Sequence, residues 1–553
     1  MYDYIIVGAG SAGCVLAGRL TEDPRTRVLL LEAGGADDAP EIRIPAVGPM
    51  LWNGAYAWSE WTVPQRNAAN RPVFWPHGRT LGGSSSINGM VYIRGSRADY
   101  DSWRDVYGCT GWGYAEMLPY FRRAEDQQRG ESTYHGVGGP LRVEDLRYRH
   151  PLSAACLESA LSYGLPANDD FNGAEQEGVG YYQATQLAGR RWSAADAYLR
   201  PAIERTNLTV QTGAQAAKVL VEGGRAVGVR YLRGETGETA NTAETGETGE
   251  TAVEARAGRE VILSGGAVNT PQLLMLSGIG PAADLRRLGI DPIVDLPAVG
   301  ECLQDHPMCL PEWRTPDTRN IWEEATPENM ELWRAEGLGP MSSVGAETGG
   351  FIRTRPGLAA PDLQIGAIPS PAPDESMSVP QWRGVAMIVG AVDVASRGRV
   401  RLSSADPRSR PDIDPGYLTV DADLDILVAG VRLVREIAAS SPLSKMTAGE
   451  YAPGQQVEDD EALRDWIRRH TATMFHPTST CAMGGTPDTV TDPELRVRGV
   501  EGLRVVDASV LPAVTRGNTN APVIAVAERA ADLIRGNTAL TPVVETPETA
   551  AAG

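Results

Sequence analysis

Two stretches at opposite ends of the chain hold residues whose types and spacing could do chemistry. Near the start, Gly8-Ala9-Gly10-Ser11-Ala12-Gly13 follows the apolar run Tyr4-Ile5-Ile6-Val7, and Glu32 stands just past a second apolar run, Val28-Leu29-Leu30-Leu31. Glycines at this spacing let a tight turn bring backbone up to a pyrophosphate. The following helix offers its unpaired N–H groups to the phosphates, and an acid about 20 residues on accepts both hydroxyls of a ribose. Glycine is common here, 61 of 553 residues, so the spacing alone would carry little. The strand–turn–helix–strand–acid order is what makes it a dinucleotide fingerprint. Near the other end stand Phe475-His476-Pro477 and Arg516-Gly517-Asn518-Thr519-Asn520. His476 is one of only six histidines. An imidazole titrating at about 6.5 is the side chain best placed to take a proton near neutral pH. The amide of Asn520 can steady an oxyanion but cannot accept a proton. Read alone, each has a plainer meaning: a histidine before proline as a capping or core residue, and Asn518-Thr519-Asn520 as a turn.

Other elements must position these residues. A second small-residue cluster, Gly78-Arg79-Thr80-Leu81-Gly82-Gly83-Ser84-Ser85-Ser86-Ile87-Asn88-Gly89-Met90, allows close approach of backbone to a flat ligand or a pyrophosphate. Residues 208–210 and 216–221 read as short strands, and 226–232 with 252–263 as a hairpin. The Glu/Thr/Gly/Ala repeat between them, 234–251, lacks the apolar content to order itself and is expected to be a disordered acidic loop. Alternating runs over 361–402 predict an antiparallel sheet, half exposed. Residues 423–438, 460–470 and 521–534 read as helices, 503–507 as a returning strand, and 537–553 as a disordered tail. Residues 311–335 show no clear period. Dinucleotide-type elements therefore occur at both ends and in the middle, and a second unit is inserted between them.

Composition excludes some classes. At 553 residues the chain exceeds a single simple core. A net charge of −20 opposes binding to nucleic acid phosphates. No run reaches the ~18 apolar residues of a membrane span, and Met1-Tyr2-Asp3 leads directly into the first strand, so no secretory signal is expected. The six cysteines lack CxxC or metal-ligand spacing, so they are read as free thiols in a reducing cytoplasm.

Four segments in order resemble the glucose–methanol–choline oxidoreductases, specifically the choline dehydrogenase and alkanol dehydrogenase branch. They are Gly8 to Gly13 with Glu32; Gly78 to Met90 continuing into Tyr92-Ile93-Arg94-Gly95; Gly265 to Gly280; and His476 to Gly484 with Val505 to Asn520. The resemblance spans nearly the whole chain. It implies an α/β protein, α+β overall, in which a Rossmann-like FAD-binding domain (1–155, 191–310 and 461–536) carries an inserted antiparallel-sheet substrate domain (156–190 and 311–460). It implies FAD as cofactor, with Gly8, Gly10 and Gly13 at the pyrophosphate and Glu32 at the adenosine ribose. Gly82, Gly83, Asn88, Gly89 and Met90 would lie along the pyrophosphate and flavin ring, and the backbone of Ala216 would meet adenine. Asp507 and Ala508 would lie near the ribityl chain, and Ala33 and Arg79 complete the cofactor set. Some relatives carry a histidine bonded to the flavin where this chain has Ile87, so non-covalent FAD is expected. The family chemistry is hydride transfer from an alcohol carbon to flavin N5, with His476 as general base and Asn520 as the amide partner, giving an aldehyde. Glu347 and Asp393 fall near the substrate by the same resemblance. The expected partners are a small alcohol and, as oxidant, oxygen or an acceptor such as a quinone. Choline or another cationic amino-alcohol, a flavin-dependent lyase or photodecarboxylase, and a non-catalytic flavin-binding protein are the alternatives.

Overall fold

The computed structural model describes residues 1–233, 251–373, 378 and 380–543. The N-terminal fingerprint builds its center. Strand β1 (Tyr2–Val7) buries Ile5 and Ile6 completely, each contributing about 1.5–3 kcal/mol by leaving water. Helix α1 (Ser11–Leu20) follows, then β2 (Val28–Leu31), buried along its whole length as a strand covered on both faces must be. Four further strands join: β3 (Leu208–Gln211), β4 (Ala214–Glu222), β5 (Arg225–Arg233) and β6 (Thr251–Leu263). The order is β3-β2-β1-β6-β5-β4, and β7 (Leu503–Val505) pairs with the end of β6. β3, β2, β1, β6 and β7 run parallel, while β4, β5 and β6 form antiparallel pairs.

β6 serves both halves. Its first residues pair with β5 and are largely exposed, whereas Val261, Ile262 and Leu263 lie buried between β1 and β7. The carboxyl ends of β1, β2, β6 and β7 thus converge at Gly8, Glu32, Ser264 and Val506. That is where an open parallel sheet binds its ligand. Helix α2 (Gly266–Leu276) leaves from the end of β6. Helix α3 (Asn520–Arg535) packs on α1, and Arg19 pairs across the contact with the buried Glu528 at 2.8 Å.

A second, eight-stranded sheet stands beside the first, built from 178–181, 307–309, 312–314, 348–352, 363–368, 384–391, 450–452 and 472–473. All its pairings are antiparallel, and the helix Asp421–Ala439 covers one face. That helix sits close: a Cβ on Gly430 would come within 2.4 Å of the Val389 side chain. Pro307–Cys309 and Ala472–Thr473 belong to this sheet, so the domain boundaries expected at 310 and 461 cut through it. Helix Asp460–His470 likewise packs on the helix Asp421–Ala439, through Leu463, Trp466 and Ile467.

The acidic repeat lies outside the described residues apart from Thr251, which opens β6. Of the expected tail, 544–553 also lies outside them. Residues 537–543 dock instead: the Val543 N–H donates to the Ala115 carbonyl at 2.9 Å and the Leu540 N–H to the Tyr120 hydroxyl at 3.2 Å.

Candidate active site

One cleft runs over the carboxyl end of the first sheet. Glu32, Ala33 and Ala216 line it, as do Gly8, Gly10 and Gly83 beside the start of α1, and so do Asn88, Gly89, Met90, His476 and Asn518. At Gly8, φ is +99° and a Cβ would lie 2.4 Å from the Ser264 carbonyl oxygen. A Cβ on Gly13 would lie 1.9 Å from the Gly8 oxygen, so α1 can approach β1 only with glycine there. The N-terminus of α1 has no side-chain cap, and its first N–H groups are available to an anion. Gly82 donates its N–H to the Ala9 carbonyl at 2.8 Å, joining the second glycine cluster to the first. Arg79 lies over the Trp58 ring rather than in the cleft.

Two buried acids brace this cradle. Glu32 accepts the Ala9 N–H at 2.9 Å on one oxygen and the Gly34 N–H at 2.8 Å on the other. Burial raises its carboxyl to about 7. Each oxygen keeps a further lone pair, as recognition of a ribose diol requires. Asp507 accepts the Gly266 N–H at 2.9 Å and the Thr270 hydroxyl at 2.6 Å, and so ties the first turn of α2 to the end of β7. Residues 407–411 come from the far side of the chain to close the cleft beside Ala216, a contribution the sequence reading missed. A helix N-terminus with open donors, glycines where backbone must come close, and a diol acceptor at one end fit a dinucleotide such as FAD.

The other end of the cleft holds the imidazole. His476 is 6% exposed, and burial depresses its pKa to about 3, so the ring is neutral and able to accept a proton. Its backbone N–H donates to Asp305 Oδ1 at 2.8 Å. The second Asp305 oxygen takes the hydroxyls of Tyr417 and Thr473, and Thr473 in turn accepts the Phe475 N–H at 2.7 Å. This network holds Phe475 at φ +63°, a left-handed conformation that a bulky residue adopts only when its surroundings impose it. Trp52 packs on Phe475 with ring centroids 4.7 Å apart and donates its indole N–H to the Ile87 carbonyl at 2.9 Å. Trp52 and Phe475 line the same cleft as His476.

The amide beside it belongs to Asn518, not to Asn520. Asn518 Nδ2 lies 3.1 Å from His476 Nε2. Asn520 is the first residue of α3, and its Oδ1 accepts the Ser11 hydroxyl at 2.7 Å, so it joins α3 to the first turn of α1. The Asn518 loop is anchored from outside: Arg516 donates its N–H to Asp99 Oδ2 at 2.8 Å, and its guanidinium pairs with Asp99 and Asp393.

Neither carboxylate expected near the substrate lines the cleft. Glu347 is fully buried and accepts the Ser343 hydroxyl at 2.6 Å and the His150 N–H at 2.7 Å. Asp393 is 2.9 Å from Arg516 on the half-exposed outer side of that loop. Glu60 does line the cleft. It is 3% exposed, and its Oε2 has no hydrogen-bond partner and lies 3.8 Å from His77 Nδ1.

Comparison with known proteins places this arrangement. The GMC oxidoreductase family pattern matches residues 2–308 and 394–527. The chain belongs to that family. It is 43% identical over 557 residues to human mitochondrial choline dehydrogenase, covering 98% of this chain and 90% of the relative. It is 43% identical to the alcohol dehydrogenase [acceptor] of Pseudomonas putida, covering 97% and 96%. Among solved structures it resembles pyridoxine 4-oxidase from Mesorbium loti at TM-score 0.86 and 33% identity, covering 97% and 100%. This GMC oxidoreductase is an FAD-dependent enzyme acting on CH–OH donors. Among the described residues, no helix is long and apolar enough to cross a membrane.

Ile87 lines the cleft and offers no atom that could bond a flavin carbon. Acid precipitation of the enzyme is accordingly expected to leave the yellow color in the supernatant. Color retained in the pellet would show a covalent link through another residue.

Proposed function

We propose that this enzyme oxidizes an uncharged primary alcohol to its aldehyde, with His476 as the base and Asn518 as the amide that steadies the alcohol oxygen. The observation that carries the reading is a buried, neutral imidazole with an amide N–H₂ at 3.1 Å, in a cleft that Trp52 and Phe475 also line. An alcohol oxygen seated beside the pair, within reach of both, would donate its proton to His476 Nε2 and accept from Asn518 Nδ2. As the O–H bond breaks, the Asn518 amide dipole stabilizes the oxygen's developing charge. Bound FAD supplies the acceptor for the hydride that leaves carbon. Glu32, Asp507 and the glycines at the start of α1 would hold its nucleotide portion.

The test is anaerobic bleaching of the flavin in the dark by a panel of alcohols. Linear primary alcohols are expected to bleach it. Bleaching by none of them, or only under illumination, would remove the reading in favor of a flavin-binding protein or a light-driven lyase. Choline belongs in the panel because one observation favors a cationic substrate: Glu60 is a buried acid in the cleft with an unengaged oxygen. Faster bleaching by choline, lost in Glu60→Gln, would establish that alternative. The electron acceptor is oxygen or a carrier such as a quinone, and paired oxygen-electrode and dye-reduction assays distinguish them. We place the enzyme in the cytoplasm, a proposal supported by six cysteines that are all unpaired. Cell fractionation tests it.

A further inference from the structure

His306 is completely buried, and its Nδ1 lies 2.9 Å from His476 Nδ1, with the two rings at 83°. Its other nitrogen, Nε2, is buried without a hydrogen-bond partner. Two ring nitrogens at this distance share one proton, so one ring donates and the other accepts. The direction matters because His476 faces the Asn518 amide through Nε2. If His306 donates, His476 carries its own proton on Nε2 and cannot take one from an alcohol. If His476 donates from Nδ1, its Nε2 is bare and can accept the Asn518 N–H. His306 must then carry its proton on the unpartnered Nε2.

We propose that His306 is a positioning residue: its Nδ1 accepts the His476 Nδ1–H and so fixes the tautomer in which His476 Nε2 is the proton acceptor. When the alcohol O–H breaks and its proton bonds to Nε2, the new imidazolium still donates from Nδ1 to His306. The acceptor thus stabilizes the charged ring as well as the competent neutral one. The backbone fixes both partners. Met474 donates its N–H to the His306 carbonyl at 3.0 Å, and Asp305, the residue before His306, holds the His476 N–H. Burial, and after it the positive charges of a protonated His476 and of Arg516, keep His306 from becoming an imidazolium, so it holds a single proton and one of its nitrogens stays free to accept. The sequence gives no local sign of this contact, since the two histidines are 170 residues apart.

The inference rests on His476 being the base, and the test separates the two. Asparagine at 306 can present its amide oxygen about where Nδ1 stands; leucine cannot. In anaerobic stopped-flow reduction, His306→Asn is expected to stay within about threefold of the native enzyme. His306→Leu is expected to lose about 10²-fold in the limiting rate, with unchanged alcohol affinity and FAD content. In His306→Leu the low-pH break of the rate profile should also move to lower pH, because the imidazolium has lost its acceptor. His306→Leu reducing at the native rate while His476→Ala is crippled would overturn the role of His306 alone. A native-like His476→Ala would overturn the base assignment beneath it. Should His306→Leu fail to fold, ¹⁵N NMR of the native holoenzyme decides: a protonated Nδ1 and bare Nε2 on His476 support the inference, and the opposite pattern overturns it.

Discussion

His476→Ala is expected to slow reduction of the flavin by alcohol by about 10²–10⁴-fold while the protein stays yellow. The nearest other base, His306, meets the His476 ring on its Nδ1 side and not at Nε2, where the Asn518 amide lies. The Asp305 carboxylate is already taken by the Tyr417 and Thr473 hydroxyls and the His476 backbone N–H, and Asn518 has no basic atom. Burial keeps the native ring neutral, so the loss is of a proton acceptor and not of a positive charge. FAD should be retained, because its expected contacts lie along α1, Glu32 and Asp507. Stopped-flow reduction and the ratio of flavin to protein absorbance measure the two effects separately. A yellow variant that is bleached at the native rate would remove His476 from the mechanism.

Asn518→Ala is expected to cost about 10²–10³-fold in the same step, the usual loss on removing one donor from an oxyanion site. Asn520→Ala should behave differently. Its side chain accepts from Ser11 at the first turn of α1, so its loss should appear as weaker FAD retention with reduction slowed by no more than about tenfold. The two variants together test which amide faces the alcohol. The opposite ordering, with Asn520→Ala the slower at full flavin content, would return the role to Asn520.

How far the molecule could be read from its residues depends on how local each feature is. The dinucleotide fingerprint was legible because Gly8, Gly13 and Glu32 meet within one strand–helix–strand unit. The helix at 327–336 was not, because of its residues only Trp333 is buried, so no apolar stripe marks it. Asn518 and Asn520 are alike as residues. Which one meets His476 depends on α3 starting at Asn520, which turns that side chain toward Ser11. Glu347 and Asp393 looked available because their partners, the His150 N–H and Arg516, are distant in the chain. His306 was missed for the same reason.

The seat for the nucleotide draws on β1 and α1 at one end of the chain and on β7, Asn518 and α3 at the other, and the Arg19–Glu528 pair closes the two ends on each other. A growing polypeptide emerges amino end first. While the last segments remain inside the ribosome, α1 has no α3 to pack on and β6 has no β7 beside it. The seat for the flavin is therefore complete only once the segments through α3 have emerged and closed onto the amino-terminal unit.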